Sequence, residues 1–311
     1  MNVTELNKAI ECLRNDDLVG MPTETVYGLA GSIYSKTALH KIFQIKERPF
    51  FDPLIVHVSS VDEAKDLVKV WPRSADILAQ KFWPGPLTLI LEKSDKVNDL
   101  ITSGLSTVGI RMPNHPVALD LIKAFGSPLA APSANKFKKT SPTSAQHVKD
   151  EFGESVYVLE GGSCTVGLES TILYINEQDN ELAIEVLRKG FISLSEIEKV
   201  LNENGLHSKS ANLLNSILAP GNMKDHYMPK KPLVILNEGK SLKDINLKFE
   251  SFVEMSLSKS PEIAARELYS HLRLAGAGSE DIIIFKKMLW HTGELWEAVF
   301  DRLSKAASEI C

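Results

Sequence analysis

Cysteine is scarce in this chain, and an excess of positive charge is missing. Cys12, Cys164 and Cys311 are the only cysteines in 311 residues, and none stand in a C-x-x-C spacing. That argues against a disulfide framework and against a structural zinc site. Acids outnumber bases 40 to 35, for a formal net charge of −5. A general electrostatic binder of nucleic acid is usually basic, so any RNA contact is expected to be local or transient. No apolar run approaches the ~18–20 residues that cross a bilayer. Residues 1–5 show no basic region followed by an apolar stretch, so no signal peptide is expected. A reducing cytoplasm is the expected home. Internal repeats, low-complexity tracts, clustered carboxylates and a Gly-Lys-Ser/Thr phosphate loop are also missing.

What is there reads as a globular protein: 43% hydrophobic and 24% charged residues. Short apolar runs alternate with amphipathic stretches. Strands are expected at Leu18–Met21, Leu54–Val58, Leu87–Leu91, Val108–Met112, Leu129–Ala131, Val156–Leu159, Thr171–Ile175 and Ile184–Leu187. Helices are expected at 4–15, 36–45, 61–69, 73–82, 115–125, 142–151 and 193–204. The mixture reads as an α/β sheet covered by helices. Its spacing is too irregular for strict βαβ alternation, so the sheet is expected to be mixed. Residues 202–232 are polar, with three prolines and a poor apolar period, and read as a linker. Beyond it, Leu233–Leu236, Phe252–Leu257 and Ile282–Phe285 read as strands, with helices from Pro261 to about Leu274 and from about Gly293 to Ser308. The expected division is 1–201, a linker at 202–231 and a small three-stranded unit at 232–311.

Several segments could carry chemistry, and each also has a plain structural reading. Lys46 and Arg48 are two apart, and Arg48 precedes Pro49. An extended backbone there would point both cations the same way, a grip suited to a polyphosphate; a solvated helix end would also favour them. Pro22-Thr23-Glu24-Thr25-Val26-Tyr27-Gly28-Leu29 follows a strand end, where open α/β sheets bind ligands, yet it could simply cap a helix. His57 lies in an apolar strand. Thr107 and Arg111 share one strand face, and a buried Arg111 needs either an acid or a substrate carboxylate. Ala131-Pro132-Ser133-Ala134-Asn135 ends a strand, Ser141-Pro142 looks like an N-cap followed by proline, and 160–171 is a glycine-rich loop between strands. Arg188 ends another strand, and His226-Tyr227 interrupts the linker.

In order and spacing these segments resemble the YrdC family. The resemblance runs over about residues 5–200 and rests on Pro-Thr-Glu-Thr-Val-Tyr-Gly-Leu, Lys-x-Arg-Pro, Pro-Leu-Ile-Val-His-Val, Trp-Pro-Gly-Pro-Leu-Thr at 83–88, Val-Gly-Ile-Arg-Met-Pro-Asn-His-Pro at 108–116, Ala-Pro-Ser-Ala-Asn, Ser-Pro-Thr and Gly-Leu-Glu-Ser-Thr-Ile. Pro220-Gly221, the His-Tyr-x-Pro segment and the added C-terminal unit resemble the long, two-domain form. The resemblance implies a YrdC-like twisted mixed sheet flanked by helices, plus a small Rossmann-like α/β domain. It also implies an L-threonylcarbamoyladenylate synthase, which joins L-threonine, bicarbonate or carbon dioxide and ATP and releases pyrophosphate. Its product would pass to the tRNA threonylcarbamoyl transferase machinery, with tRNA contact weak or indirect and no membrane involved.

Residue by residue, the resemblance makes Lys46 and Arg48 catalytic and places them at ATP with Asp52, Thr107, Ser133, Asn135, Ser141, Arg188, His226 and Tyr227. It gives Thr25, His57, Arg111, Ala131 and Ser170 to threonine, with Arg111 taking the carboxylate. Magnesium would arrive on ATP, with no metal site of the protein's own. The sequence departs from the family pattern at Glu47 and Lys138, where glycine is common, at Asp52, where asparagine is frequent, and at Asn222-Met223-Lys224-Asp225. Glu47 would add a negative charge beside the phosphates. Two other readings stay open: an RNA-binding protein on this fold, favoured by strong tRNA binding without ATP turnover, and a carbamoyl-transfer module, favoured by turnover with carbamoyl phosphate.

Overall fold

The computed structural model describes residues 2–179, 181–211 and 225–311. Pro220-Gly221 and Asn222-Met223-Lys224 lie outside these residues. Ten strands form one sheet: β1 (Val19–Met21), β2 (Gly28–Ser32), β3 (Ile55–His57), β4 (Leu87–Glu92), β5 (Thr107–Arg111), β6 (Leu129–Ala130), β7 (Tyr157–Val158), β8 (Thr171–Gln178), β9 (Glu181–Arg188) and β10 (Ser208–Ser210). Their order is β10-β9-β8-β4-β5-β3-β6-β2-β1-β7. Parallel pairs (β3–β5, β4–β8) alternate with antiparallel ones (β4–β5, β3–β6), so the sheet is mixed. A second sheet, β12-β13-β11-β14, comprises β11 (Leu233–Leu236), β12 (Phe252–Met255), β13 (Ile282–Lys286) and β14 (Ala307–Ile310), all parallel.

Three of the strands were not expected from the sequence. The segment after Thr25 enters β2, antiparallel to β1, and not a helix. β2 reads Gly-Leu-Ala-Gly-Ser, whose two glycines hide it from strand propensity. β10 (Ser-Lys-Ser) lies within the stretch read as linker and pairs with β9 at the sheet edge. The small unit has four strands, not three, because its terminal Ala-Ser-Glu-Ile forms β14 beside β11. Both unforeseen edges are short and polar, as exposed edges tend to be. The helix expected from 142 starts at Ala145: Ser144 is the N-cap, accepting from the His147 N–H, and Ser141 is free for other work. At Pro261 the expectation holds, with Ser260 capping the helix Pro261–Ala277.

The main core packs the helices Lys36–Lys46 and Arg73–Phe82 onto the large sheet through Leu39, Ile42, Phe43, Leu78, Leu89 and Ile110. On the other face the helices Val3–Arg14 and Pro116–Phe125 meet through Leu13, Leu121 and Ile122. A further cluster fills the small unit, and it takes in Val26, Leu168 and Tyr227 from outside that unit.

Candidate active site

Lys46 is the last residue of the helix Lys36–Lys46, and Glu47 caps it in the left-handed conformation at φ 53°. The two cations therefore converge around a helix end and not along an extended strand, which corrects the expected geometry. The lysine points inward and donates from Nζ to the carbonyls of Ser133 and Asn135. The two segments thus meet through backbone oxygens. Burial pushes the Lys46 ammonium well below the usual lysine range, and Arg48 pushes the same way. An arriving polyanion would oppose both effects. Glu47 instead turns outward and meets Lys136 at 2.7 Å among exposed side chains, so it places no charge in the site. Lys138, at φ 66°, is the second left-handed position where the family commonly has glycine.

Arg48 is buried, and its Nε and Nη2 are engaged with its own loop. Its Nη2 lies 2.9 Å from Asp52 Oδ2, Nε donates to the Asp52 carbonyl at 3.1 Å, and Nη2 donates to the Pro53 carbonyl at 2.8 Å. Burial raises the Asp52 carboxyl, and Arg48 counteracts it.

On β3 and β5, His57 and Arg111 are direct partners in parallel register. Arg111 donates from Nε to the Gly85 carbonyl at 3.1 Å and from Nη1 to Thr25 Oγ1 at 2.8 Å. Its Nη2 is 2.6 Å from Glu24 Oε1, an ion pair not aligned as a hydrogen bond. The acid that a buried Arg111 requires is therefore Glu24. Thr25 also shares a hydrogen bond with the Thr23 hydroxyl at 2.9 Å. Desolvation, then Arg111, lowers His57 to about 3, so the ring is neutral, and its Nδ1 is buried without a hydrogen-bond partner.

Across the cavity, Arg188 donates from Nε to the Ser170 carbonyl at 3.1 Å and from Nη2 to Ser170 Oγ at 3.0 Å. Ser170 Oγ also meets Thr88 Oγ1 at 2.7 Å. Ser141 Oγ donates to Glu169 Oε1 at 2.6 Å. Asn135 uses Nδ2 on the carbonyls of Lys136 and Lys139, leaving Oδ1 buried and unpaired. His226 and Tyr227 close the cavity. Their rings are 4.1 Å apart, Tyr227 has φ 64°, and the Tyr227 carbonyl accepts from Thr140 Oγ1 at 3.2 Å.

One cavity gathers Thr25, Arg48, His57, Arg111, Ala131, Ser133, Ser170, Arg188, His226 and Tyr227. It holds about 50 Å³, far below the ~300–1,000 Å³ of a typical ligand site. Lys46, Asp52, Asn135 and Ser141 stand one contact behind its wall. Thr107 does not line it. Continuing the Ile55–Gly109 register places Thr107 level with Pro53, half-buried. Sequence reasoning assigned no role to Glu24, Thr88, Glu169, Tyr269 or Arg302, although the need of a buried arginine for an acid pointed toward Glu24. Among the described residues no three His, Cys, Asp or Glu side chains group as metal ligands, and no helix is long and apolar enough to cross a membrane.

The buried rings carry a pH consequence. Desolvation lowers His226 as well, to about 3, with Arg48, Lys46 and Arg188 opposing Glu169. Below the ordinary value of 6.5, the unfolded chain takes up protons that the folded chain refuses. Stability is therefore full above that pH and falls as pH drops from 6.5 toward 3. Each ring contributes at most about 1.4 kcal/mol per pH unit. The thermal midpoint should be lower at about pH 5.5 than at about pH 7.5, and His57→Gln should flatten the dependence. Equal midpoints would mean that the rings are not desolvated.

A family model described as telomere recombination, the Sua5/YciO/YrdC model, matches residues 11–190. A second, described as the threonylcarbamoyl-AMP synthase C-terminal domain, matches 192–308. A threonylcarbamoyl-AMP synthase from Pyrococcus abyssi is 37% identical over 317 residues, covering 95% of this chain and 92% of its own. One from Bacillus subtilis is 40% identical over 236 residues, covering 75% and 67%. The crystal structure of P. abyssi Sua5 complexed with L-threonine superimposes with a TM-score of 0.85 at 34% identity, covering 100% of this chain and 97% of that one.

Proposed function

The chain belongs to the Sua5/YciO/YrdC family, and from that premise we propose that it is a threonylcarbamoyl-AMP synthase. It joins L-threonine, bicarbonate or carbon dioxide and ATP, and releases pyrophosphate. The observation that carries the reading is the meeting, in one cavity, of the guanidinium groups of Arg48, Arg111 and Arg188 with the hydroxyls of Thr25, Ser133 and Ser170 and the ring of His57.

In this reading Arg111 takes the carboxylate of threonine while Glu24 and Thr25 fix its plane. Neutral His57 adds no charge beside the amine, which must lose its proton before it attacks carbon dioxide. The resulting carbamate oxygen attacks the α-phosphorus of ATP in line, and the bond to pyrophosphate breaks. Charge grows on the phosphate oxygens, so positioning and fixed cations supply the catalysis. Lys46, Arg48 and Arg188 are those cations, with Asp52, Ser133, Asn135 and Ser141 shaping the nucleotide side and Thr107 at its margin. Magnesium enters only as the companion of ATP. Among the described residues, the buried acids around the cavity, Glu24, Asp52 and Glu169, are paired with Arg111, Arg48 and Arg302, which leaves ATP as the carrier of the ion.

The small cavity requires His226 and Tyr227 to move for ATP to enter. The segment 225–231 that carries them, ahead of the 232–311 unit, acts as a lid that shields a water-labile mixed anhydride. The product then passes to the machinery that modifies tRNA, without strong tRNA binding by this acidic chain. A cytoplasmic location is part of the proposal, supported by the three free cysteines. Pyrophosphate release that requires both threonine and bicarbonate is the expected result with purified protein. Release that is indifferent to threonine sinks the reading.

A further inference from the structure

The large sheet and the small unit share one buried carboxylate. Glu169 lies on the cavity wall, on the loop between β7 and β8. One of its oxygens accepts from Ser141 Oγ. The other accepts from Tyr269 OH at 2.7 Å and from Arg302 Nε at 3.1 Å, and both of these residues belong to the small unit. Arg302 is wholly buried and also pairs with Asp301 at 2.8 Å. Its guanidinium lies 5.6 Å from the Tyr227 ring, which stacks on Tyr269 at 5.6 Å. The backbones are equally close: a Cβ on Gly167, which has φ 78°, would stand 2.4 Å from the Arg266 Cα. Arg273 of the same helix as Tyr269 donates to the carbonyls of Thr140 and Ser141.

This arrangement solves a charge problem. Glu169 and Arg188 both line the cavity. A buried carboxylate on the wall of a site for a polyanion is costly, and repels the ligand, unless a cation is paired with it. Burial tends to raise the Glu169 carboxyl, but Arg302, then Arg188, with the Ser141 and Tyr269 hydroxyls, hold it down at about 2. Arg302 thus satisfies the acid from behind, and Tyr269 fixes the carboxylate plane that orients Ser141.

We propose that Tyr269 and Arg302, from the C-terminal unit, are positioning residues of the nucleotide site: they hold and neutralise Glu169, so that Ser141 is oriented and no uncompensated negative charge faces an incoming triphosphate. The C-terminal unit is then part of the ATP site and not an appended module. The inference rests on the synthase reading for the identity of the nucleotide, but its test does not depend on turnover.

Calorimetric ATP affinity is measured for the full chain and for Tyr269→Phe, Arg302→Met and the double variant Glu169→Gln/Arg302→Met, beside threonine KM and the thermal midpoint. Arg302→Met should weaken ATP binding by about tenfold or more, and Tyr269→Phe by severalfold, with threonine KM unmoved. Adding Glu169→Gln should restore most of the ATP affinity that Arg302→Met loses, because no buried charge is then left unpaired. A purely structural role would lower the midpoint and affect both substrates alike. ATP affinity within about twofold of the parent in folded Arg302→Met and Tyr269→Phe overturns the proposal. If Arg302→Met does not fold, Tyr269→Phe decides. A parent protein that binds ATP but ignores threonine overturns the synthase reading alone.

Discussion

Replacing Lys46 by alanine should cut threonine-dependent pyrophosphate release by about a hundredfold or more while leaving a folded protein. The ammonium is enclosed at the junction of the helix end and the Ser133-Ala134-Asn135 turn. Held there by carbonyls, with its charged form disfavoured, it is poised to gain from a developing negative charge. Its removal also leaves two buried carbonyls short of a donor, at a cost of about 1–3 kcal/mol each at most. The melting temperature should therefore drop, but by far less than the activity. Full turnover in a folded Lys46→Ala protein would remove the lysine from the mechanism.

Arg111→Met should act on the other substrate. Threonine KM is expected to rise about a hundredfold, or roughly 2.7 kcal/mol, with ATP KM little changed. Because Glu24 sits 2.6 Å from the guanidinium, the single variant strands a buried carboxylate and loses stability as well. Glu24→Gln/Arg111→Met should recover the melting temperature and leave threonine binding impaired. If the double variant regained threonine affinity, Arg111 would be a structural partner of Glu24 and nothing more.

Both effects trace to side chains that the sequence made visible for different reasons. The arginine in an otherwise apolar β5 advertised a need for a partner, and that need was met twice over, by Glu24 and by Thr25. The lysine and Arg48 both turn inward, but through a left-handed helix cap at Glu47 and not an extended run, and they meet different partners. Local propensity could not foresee that an acidic residue would adopt φ 53°. Apolar strands such as β4, β5 and β11 were legible because burial demands their composition. β2 was not, since its glycines sit in close packing and carry no strand signal: a Cβ on Gly31 would meet the end of the Leu18 side chain at 3.0 Å. Tyr269 and Arg302 were hidden for a third reason. They sit on apolar faces of the helices Pro261–Ala277 and Glu294–Ala306, among Leu268, Leu272, Val299 and Leu303. On such faces a tyrosine reads as core, and only tertiary contact discloses its partner.

The second hydrophobic cluster binds the two sheets in a way that outlasts any single turnover. Val26, one residue from Thr25, and Leu168, two residues from Ser170, are packed among Leu268, Tyr269 and Leu272. Pulling the C-terminal unit away would bare apolar groups beside the cavity at two places at once. The cooperative unit of folding is therefore expected to span both sheets, with the cavity walls gaining or losing their shape together in one melting transition.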